Sequence, residues 1–331
     1  IAKTITSENI NEVYPTYYPP RKTPKECYEQ IIADLTDAEQ YAPDNDNSDR
    51  TKMTKTVAQA MLAKVYAEKE VQDYDKVIAY ADKVMNTTGV ELEDSYETLW
   101  GYDETAKDCM KRNTKEGILE VHWTTGSGNW ETWMYGRQLD NWDYNFTWAK
   151  WITPSRDIIN DFDKEGDEVR KNQAIVYYAC TWSNYYPASN YPFMYKLRSS
   201  YNNIYWVRLA DIILMKAEAE AYKGNLAESA KLVNQIRKRA KLKELTSDKT
   251  GSKESMIEAV LHERRLELAF EGERWFDLCR NNKVEKYLNG IDNRDSGRIR
   301  QVRQFDSNLY LLPIPQTALD QNTNLEQNPG Y

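Results

Sequence analysis

Apolar residues recur along this chain at helical spacing. Thr23-Pro24-Lys25-Glu26 reads as a cap, a first-turn proline and the Glu that closes a capping box. Ile31, Ile32 and Leu35 follow on one face, and the helix should stop near Pro43. In TVAQAMLAKVYAEKE, Ala58, Leu62, Val65 and Tyr66 share a face; in YDKVIAYADKVM, Tyr74, Ile78, Ala81 and Met85 do. The short polar link at Val71-Gln72-Asp73 makes this pair antiparallel. A second pair begins with WVRLADIILMKAEAEAY, where Ile212, Met215, Ala219 and Tyr222 line one side. Gly224 ends that helix, and Asn225 can cap LAESAKLVNQIRKRA. The spacing therefore predicts antiparallel hairpins over 55–86 and 206–240, packed in one bundle. A third, SMIEAVLHERRLELAF, breaks at Gly272 and resumes as ERWFDLCRNNKVEKYL.

Between the first two hairpins, over 90–203, the pattern changes. GILEVHW alternates like a strand, with Trp123 as a core residue. TTGSGNWETWMYGRQLDNWDYNFTWAKW has no clean period, yet its aromatic content argues against disorder. Trp148 and Trp151 lead as core residues into ITPSRDIINDF, a capped helix. Near the end, Pro313 and Pro315 forbid a regular helix. The expected fold is all-α, one unit over 1–331, with a long irregular aromatic-rich insertion at 90–203. The Ala-rich hairpins, with Tyr near the end of the first helix, resemble tetratricopeptide repeats.

Composition narrows the function. Acidic residues outnumber basic ones, 52 to 44, and the net charge of -8 excludes a polyanion such as nucleic acid as the expected partner. No apolar run approaches a membrane span. With no initiator Met or signal peptide before Ile1, the chain reads as a processed or truncated product. Two histidines, His122 and His262, make a Ser-His-Asp triad or a His-rich metal site hard to build. Cys27, Cys109, Cys180 and Cys279 lack zinc spacing and read as isolated thiols, with a Cys109–Cys180 bridge as the alternative. The run DNDNSD, 44–49, has a calcium loop's composition but not its central Gly or its bidentate Glu, and reads as a solvated loop. No metal and no cofactor are expected.

Two constellations carry chemistry. ELAFEGERWFDL, Glu267 to Leu278, sets Glu267, Glu271, Glu273 and Asp277 among aromatics. Together with Glu263 these carboxylates allow either a glycosidase acid/base pair or a helix corner whose charges satisfy Arg264, Arg265 and Arg274. HERR is not HExxH, so zinc chemistry fails at the motif. The second is aromatic: Trp123, Trp130, Trp133, Trp142, Trp148 and Trp151 are six of the ten tryptophans, gathered in one short stretch. Trp130, Trp133 and Trp142, with Tyr135 and Tyr144, lie among Gly and polar residues, where large aromatics are poor core material. Their flat faces suit stacking on sugar rings. Asn141 and Asp143, like Asn129, Glu131, Arg137, Gln138 and Asp140, can take hydroxyls. A second stretch, YYACTWSNYYPASNYPFMY, reads first as edge packing; Trp182, Tyr185, Tyr186 and Tyr191 could extend the platform.

ERRLELAFEGERWFDLCR resembles the C-terminal signature of the SusD/RagB family, outer-membrane glycan-binding lipoproteins of Bacteroidetes-type bacteria. VRLADIILMKAEAEAYKGNLAESAKLVNQIRKRAKL is similar to that family's hairpin with its Arg-x-Ala-Asp opening. LYLLPIPQTALDQNTNLEQNPGY is similar to its terminal segment, and TPKECYEQIIADLTDAEQYAP with KMTKTVAQAMLAKVYAEKE to its middle helices. The family's lipobox cysteine and N-terminal helical section have no counterpart here, and Cys279 stands where Arg is commoner. The resemblance implies a non-enzymatic protein on the outer face of the outer membrane, anchored by a lipid outside this chain. It would capture an oligosaccharide or polysaccharide and present it to a TonB-dependent transporter. It also implies that Glu267, Glu271 and Arg274 hold a helix corner together. The rival readings are a hydrolase using the Glu263–Glu273 carboxylates and a repeat scaffold without a glycan site.

Overall fold

The computed structural model describes residues 17–103, 105, 108–123, 153–180, 183–198, 203–295 and 304–331. Its main helices, in chain order, are α1 Pro24–Tyr41, α2 Lys55–Ala67, α3 Tyr74–Met85, α4 Tyr96–Trp100, α5 Arg156–Glu165, α6 Glu168–Ala174, α7 Leu209–Lys223, α8 Leu226–Arg239, α9 Lys253–Glu267 and α10 Arg274–Arg280; short helices also form at Ser247–Thr250, Val284–Leu288, Ile291–Arg294 and Gln316–Gln321. Two antiparallel ladders matter for the site: β1 Gly117–His122 with β4 Asn203–Arg208, and β2 Ile175–Tyr178 with β3 Tyr191–Met194.

Local chemistry sets the helix ends. Thr23 Oγ1 accepts from the Glu26 amide at 3.2 Å, and Glu26 returns the bond to the Thr23 amide at 2.9 Å, so α1 starts where the capping box places it. α7 ends at Gly224, whose φ of 84° is a left-handed conformation that glycine adopts without a Cβ penalty. Asn225 stands at the start of α8 but does not cap it; its amide instead donates to Glu220.

The mostly helical architecture matches the expectation, and both predicted hairpins form. α2 packs against α3, α7 against α8, and α3 and α9 both lean on α7. The small residues explain the close approach: Ala60, Ala81, Ala210, Ala217 and Ala221 are buried in one apolar cluster with Val57, Ile212, Val233 and Val260. One boundary differs. Residues 206–208, read as helix, finish strand β4 with Val207 buried and Trp206 exposed, and α7 begins at Leu209. Alternation over so few residues is hidden beside a long helical period.

Within 90–203, GILEVHW forms β1 as expected, and Ser155 caps α5 by accepting from the Ile158 amide. Trp123 is half-buried at the edge of β1. A Cys109–Cys180 bridge does not form: Cys180 is a buried thiol packed with Tyr191 and Phe193. Among the described residues no helix is long and apolar enough to cross a membrane.

Candidate functional site

The acidic block is settled by its partners. Glu263 and Glu267 lie one turn apart on α9, both fully buried. Glu267 accepts from Arg208 at 2.6 Å, from Arg170 at 3.2 Å and from Arg239. Glu263 accepts from Arg170 at 2.7 Å and Arg237 at 3.0 Å. Arg208, at the end of β4, also bonds Glu116 at 2.8 Å and both oxygens of Glu271, which holds Lys196 at 2.5 Å as well. A second cluster adjoins it. Arg264 bridges Asp211 and Asp277, Arg280 bridges Asp277 and Glu218, and Lys64 bridges Asp211 and Glu273.

Burial alone would raise the pKa of Glu267. The surrounding Arg239, Arg208 and Arg170 outweigh it and hold this carboxyl well below the usual range. A glycosidase needs one carboxyl that carries a proton and a second facing an open cleft. The arginines favour the charged form of Glu267, and Glu263 and Glu267 are both enclosed among them. The block is structural, as the corner reading expected, with one correction. Arg274 is not the partner of Glu267. It donates to the Leu261 carbonyl at 3.1 Å and lies over the Tyr287 ring at 4.7 Å. The family resemblance implies Arg274, but the arginines that reach Glu267 come from α6, β4 and α8.

The outer carboxylates give a pH prediction. Hydrogen bonding from His262, with Arg237, holds Glu165 at about 2; Lys283, Lys286 and Tyr287 hold Glu258 at about 2 despite partial burial. A carboxylate whose folded pKa lies below its unfolded value stabilises the fold above the unfolded pKa and loses that contribution as acid protonates it. The melting temperature is therefore expected to fall as pH drops from about 4.5 toward 2. Thermal melts across that window check it, and a flat profile would contradict the network.

Of the sequence-predicted site, Trp130, Trp133, Tyr135, Asn141, Trp142, Asp143 and Tyr144 lie outside the described residues, as do Trp148, Trp151 and Trp182. The lower-ranked Tyr stretch is described apart from residues 181–182. Tyr191 is buried on β3, so edge packing is correct for it. Tyr185 and Tyr186 are half-buried and line an open cavity of about 780 Å³ with Ser183, Asn184, Pro187 and Arg156. Their rings meet edge to face at 4.8 Å. The Arg156 guanidinium, from the first turn of α5, lies 4.1 Å from the Tyr186 ring centroid and 4.6 Å from that of Tyr185. It is tied to Asp295 at 3.0 Å and to the Tyr185 carbonyl, while the Tyr185 hydroxyl donates to Asp295. Tyr186 donates to the Pro154 carbonyl at 2.7 Å, and the hydroxyls of Thr153 and Tyr191 are 3.2 Å apart. Thr153 and Pro154 are the first described residues after 124–152, and both touch this tyrosine pocket. Sequence reasoning missed Arg156 and Asp295, which are far apart in the chain; the Tyr-Tyr pair was the available signal.

This arrangement presents aromatic surface, amide groups at Asn184 and a cation already neutralised by Asp295. It suits the flat, uncharged face of a ring that carries hydroxyls.

Comparisons with known proteins agree on ancestry. Residues 3–67 match a family described as starch-binding and associating with the outer membrane. SusD-like protein P2 of Formosa agariphila is 28% identical over 351 residues, covering 94% of this chain and 66% of that protein. SusD-like protein P38 of the same organism is 36% identical over 135 residues, 39% of this chain and 25% of that protein. The chain thus spans just under two thirds of the first relative and a quarter of the second. Among solved structures, a SusD-like protein of Bacteroides fragilis superposes with a TM-score of 0.75 at 22% identity, over 100% of this chain and 75% of that one. A laminarin-binding SusD-like protein gives 0.65 at 24%, over 94% and 70%. These structural likenesses show a shared fold. Residues 40–331 match the SusD family itself, and with the buried arginine–glutamate corner at its C-terminal signature, this chain belongs to the SusD family.

Proposed function

We propose that the protein binds an oligosaccharide at the outer face of the outer membrane without cleaving it, and hands it to a TonB-dependent transporter. The observation that carries this reading is the Tyr185–Tyr186–Arg156 cavity. It offers aromatic faces and polar groups for a sugar and no free acid/base pair. The two matched families and the laminarin-binding relative of like fold support the choice of ligand class. In this proposal Trp130, Trp133, Tyr135, Trp142 and Tyr144 supply further stacking faces, and Asn141 and Asp143 bond hydroxyls. A lipid anchor outside this chain would hold the protein at the surface.

Calorimetric titration with laminarin and with soluble starch, alongside a reducing-sugar assay, tests the reading. Heat of binding to either polymer with no sugar release is expected. Tyr186→Ala should weaken binding by about 0.5–1.5 kcal/mol, the usual worth of an aromatic contact. Neither polymer binding, or release of reducing ends, overturns it.

A further inference from the structure

A second cavity, about 420 Å³, is lined in part by Thr153 and Ser155 at the entry to α5. Ser155 lines it while its neighbour Arg156 lines the tyrosine pocket, so the two adjoin. Its walls include Thr153, Phe270, Gly272, Arg274 and Trp275. Three arginines face it, and their counter-ions differ. Arg264 is matched by Asp211 and Asp277, and Arg265 by Asp157 at 2.7 Å and Asp161. Arg274 forms no ion pair among the described residues; a carbonyl and the Tyr287 ring are its contacts. Arg274 is half-buried, and with no carboxylate at ion-pair distance its guanidinium keeps donors for an anion that enters the cavity. Burial and the neighbouring Arg265 lower the pKa of Arg274 and outweigh the opposing pull of Asp277 and Tyr287. A third observation concerns the wall. Phe270 is held at φ 65°, a left-handed conformation that a non-glycine residue rarely adopts and that persists where the surroundings over-determine the backbone.

We propose that this cavity is an anion subsite, taking a carboxylate or sulfate carried on a sugar-sized body, with Arg274 as counter-ion and Trp275 and Phe270 as the apolar wall. It deepens the glycan-binding reading and rests on it for the source of the anion: the bound glycan carries an acidic substituent, and that substituent enters beside the ring that stacks on the tyrosines. The volume falls within the range of small-molecule pockets. Arg is suited to the role because its planar fork bonds a carboxylate or sulfate through two parallel N–H groups.

The test titrates the full chain with sodium sulfate, glucuronate and glucose, following heat and Trp fluorescence. Sulfate and glucuronate are expected to bind, glucose to bind more weakly or not at all, and added sodium chloride to weaken the anions only. Arg274→Gln should weaken glucuronate about tenfold or more, the effect of one charged hydrogen bond. Because that variant also loses its bond to Leu261, a second measurement uses the unmodified chain. Phenylglyoxal should modify Arg274, read by mass spectrometry, and glucuronate should protect it. Glucuronate binding that ignores the substitution, or equal modification with and without glucuronate, overturns the subsite. The outcomes also separate the two readings. If laminarin and starch bind but the anions do not, only the subsite fails. If the anions bind at Arg274 while no glycan does, the subsite stands and the glycan reading fails.

Discussion

Glu267→Ala is expected to lose about 3–5 kcal/mol of stability, because it strips the shared acceptor from Arg170, Arg208 and Arg239 and leaves buried positive charge uncompensated. The loss comes from breaking the set rather than from any one contact. For a chain of this size it should lower the melting point by on the order of 10 °C, or abolish soluble expression. Glu267→Gln keeps the volume and one acceptor oxygen and should fall between the two. Thermal melts with urea denaturation measure it. A Glu267→Ala protein that melts like its parent would mean the arginines are solvated and the corner is not buried in solution.

The second large effect concerns ligand. Trp133→Ala and Trp142→Ala should each weaken oligosaccharide binding by about 1–3 kcal/mol, by analogy with bases stacked on aromatic side chains. The double variant should approach the sum if the two residues hold separate rings. Melting points should stay near the parent value, since a surface aromatic leaves no cavity when truncated. Binding of a neutral oligosaccharide should also be insensitive to salt, in contrast to the acidic ligands of the Arg274 cavity. Calorimetry on both single variants against laminarin and starch decides it. Parental affinity, or unfolding, assigns these tryptophans to the core and leaves the tyrosine pocket as the sole platform.

Much of the helical frame was legible because its evidence is local. The capping box at Thr23 and Glu26, the Ala-rich stripes of α2 and α7 and the stop at Gly224 each involve residues within a turn or two of one another. What escaped was tertiary. The sequence marks Glu267 as structural but points to Arg274, seven residues on, as its partner in the corner. The true partners stand 28 to 97 residues away in sequence. Charge carries no periodicity that points at a distant partner, whereas apolar spacing declares a face. The same holds for the pocket. Tyr185 and Tyr186 stood out by composition, but only folding brings Asp295 to Arg156, 139 positions apart.

The order of these charges along the chain bears on how the protein is made. Arg170, Arg208, Arg237 and Arg239 leave the ribosome before Glu263, Glu267 and Glu271. Until α9 has emerged, the growing chain holds these cations with Glu116 for Arg208 and Arg239, Glu165 for Arg237 and Asp167 for Arg170, but without the shared acceptors Glu263 and Glu267, and closing the interior around that set is uphill. Helix α9 is therefore the keystone: the earlier hairpins can form, but the interior seals only when the last acidic turn arrives. A chain arrested before residue 253 should remain open and protease-sensitive, and one extended past Gly272 should close.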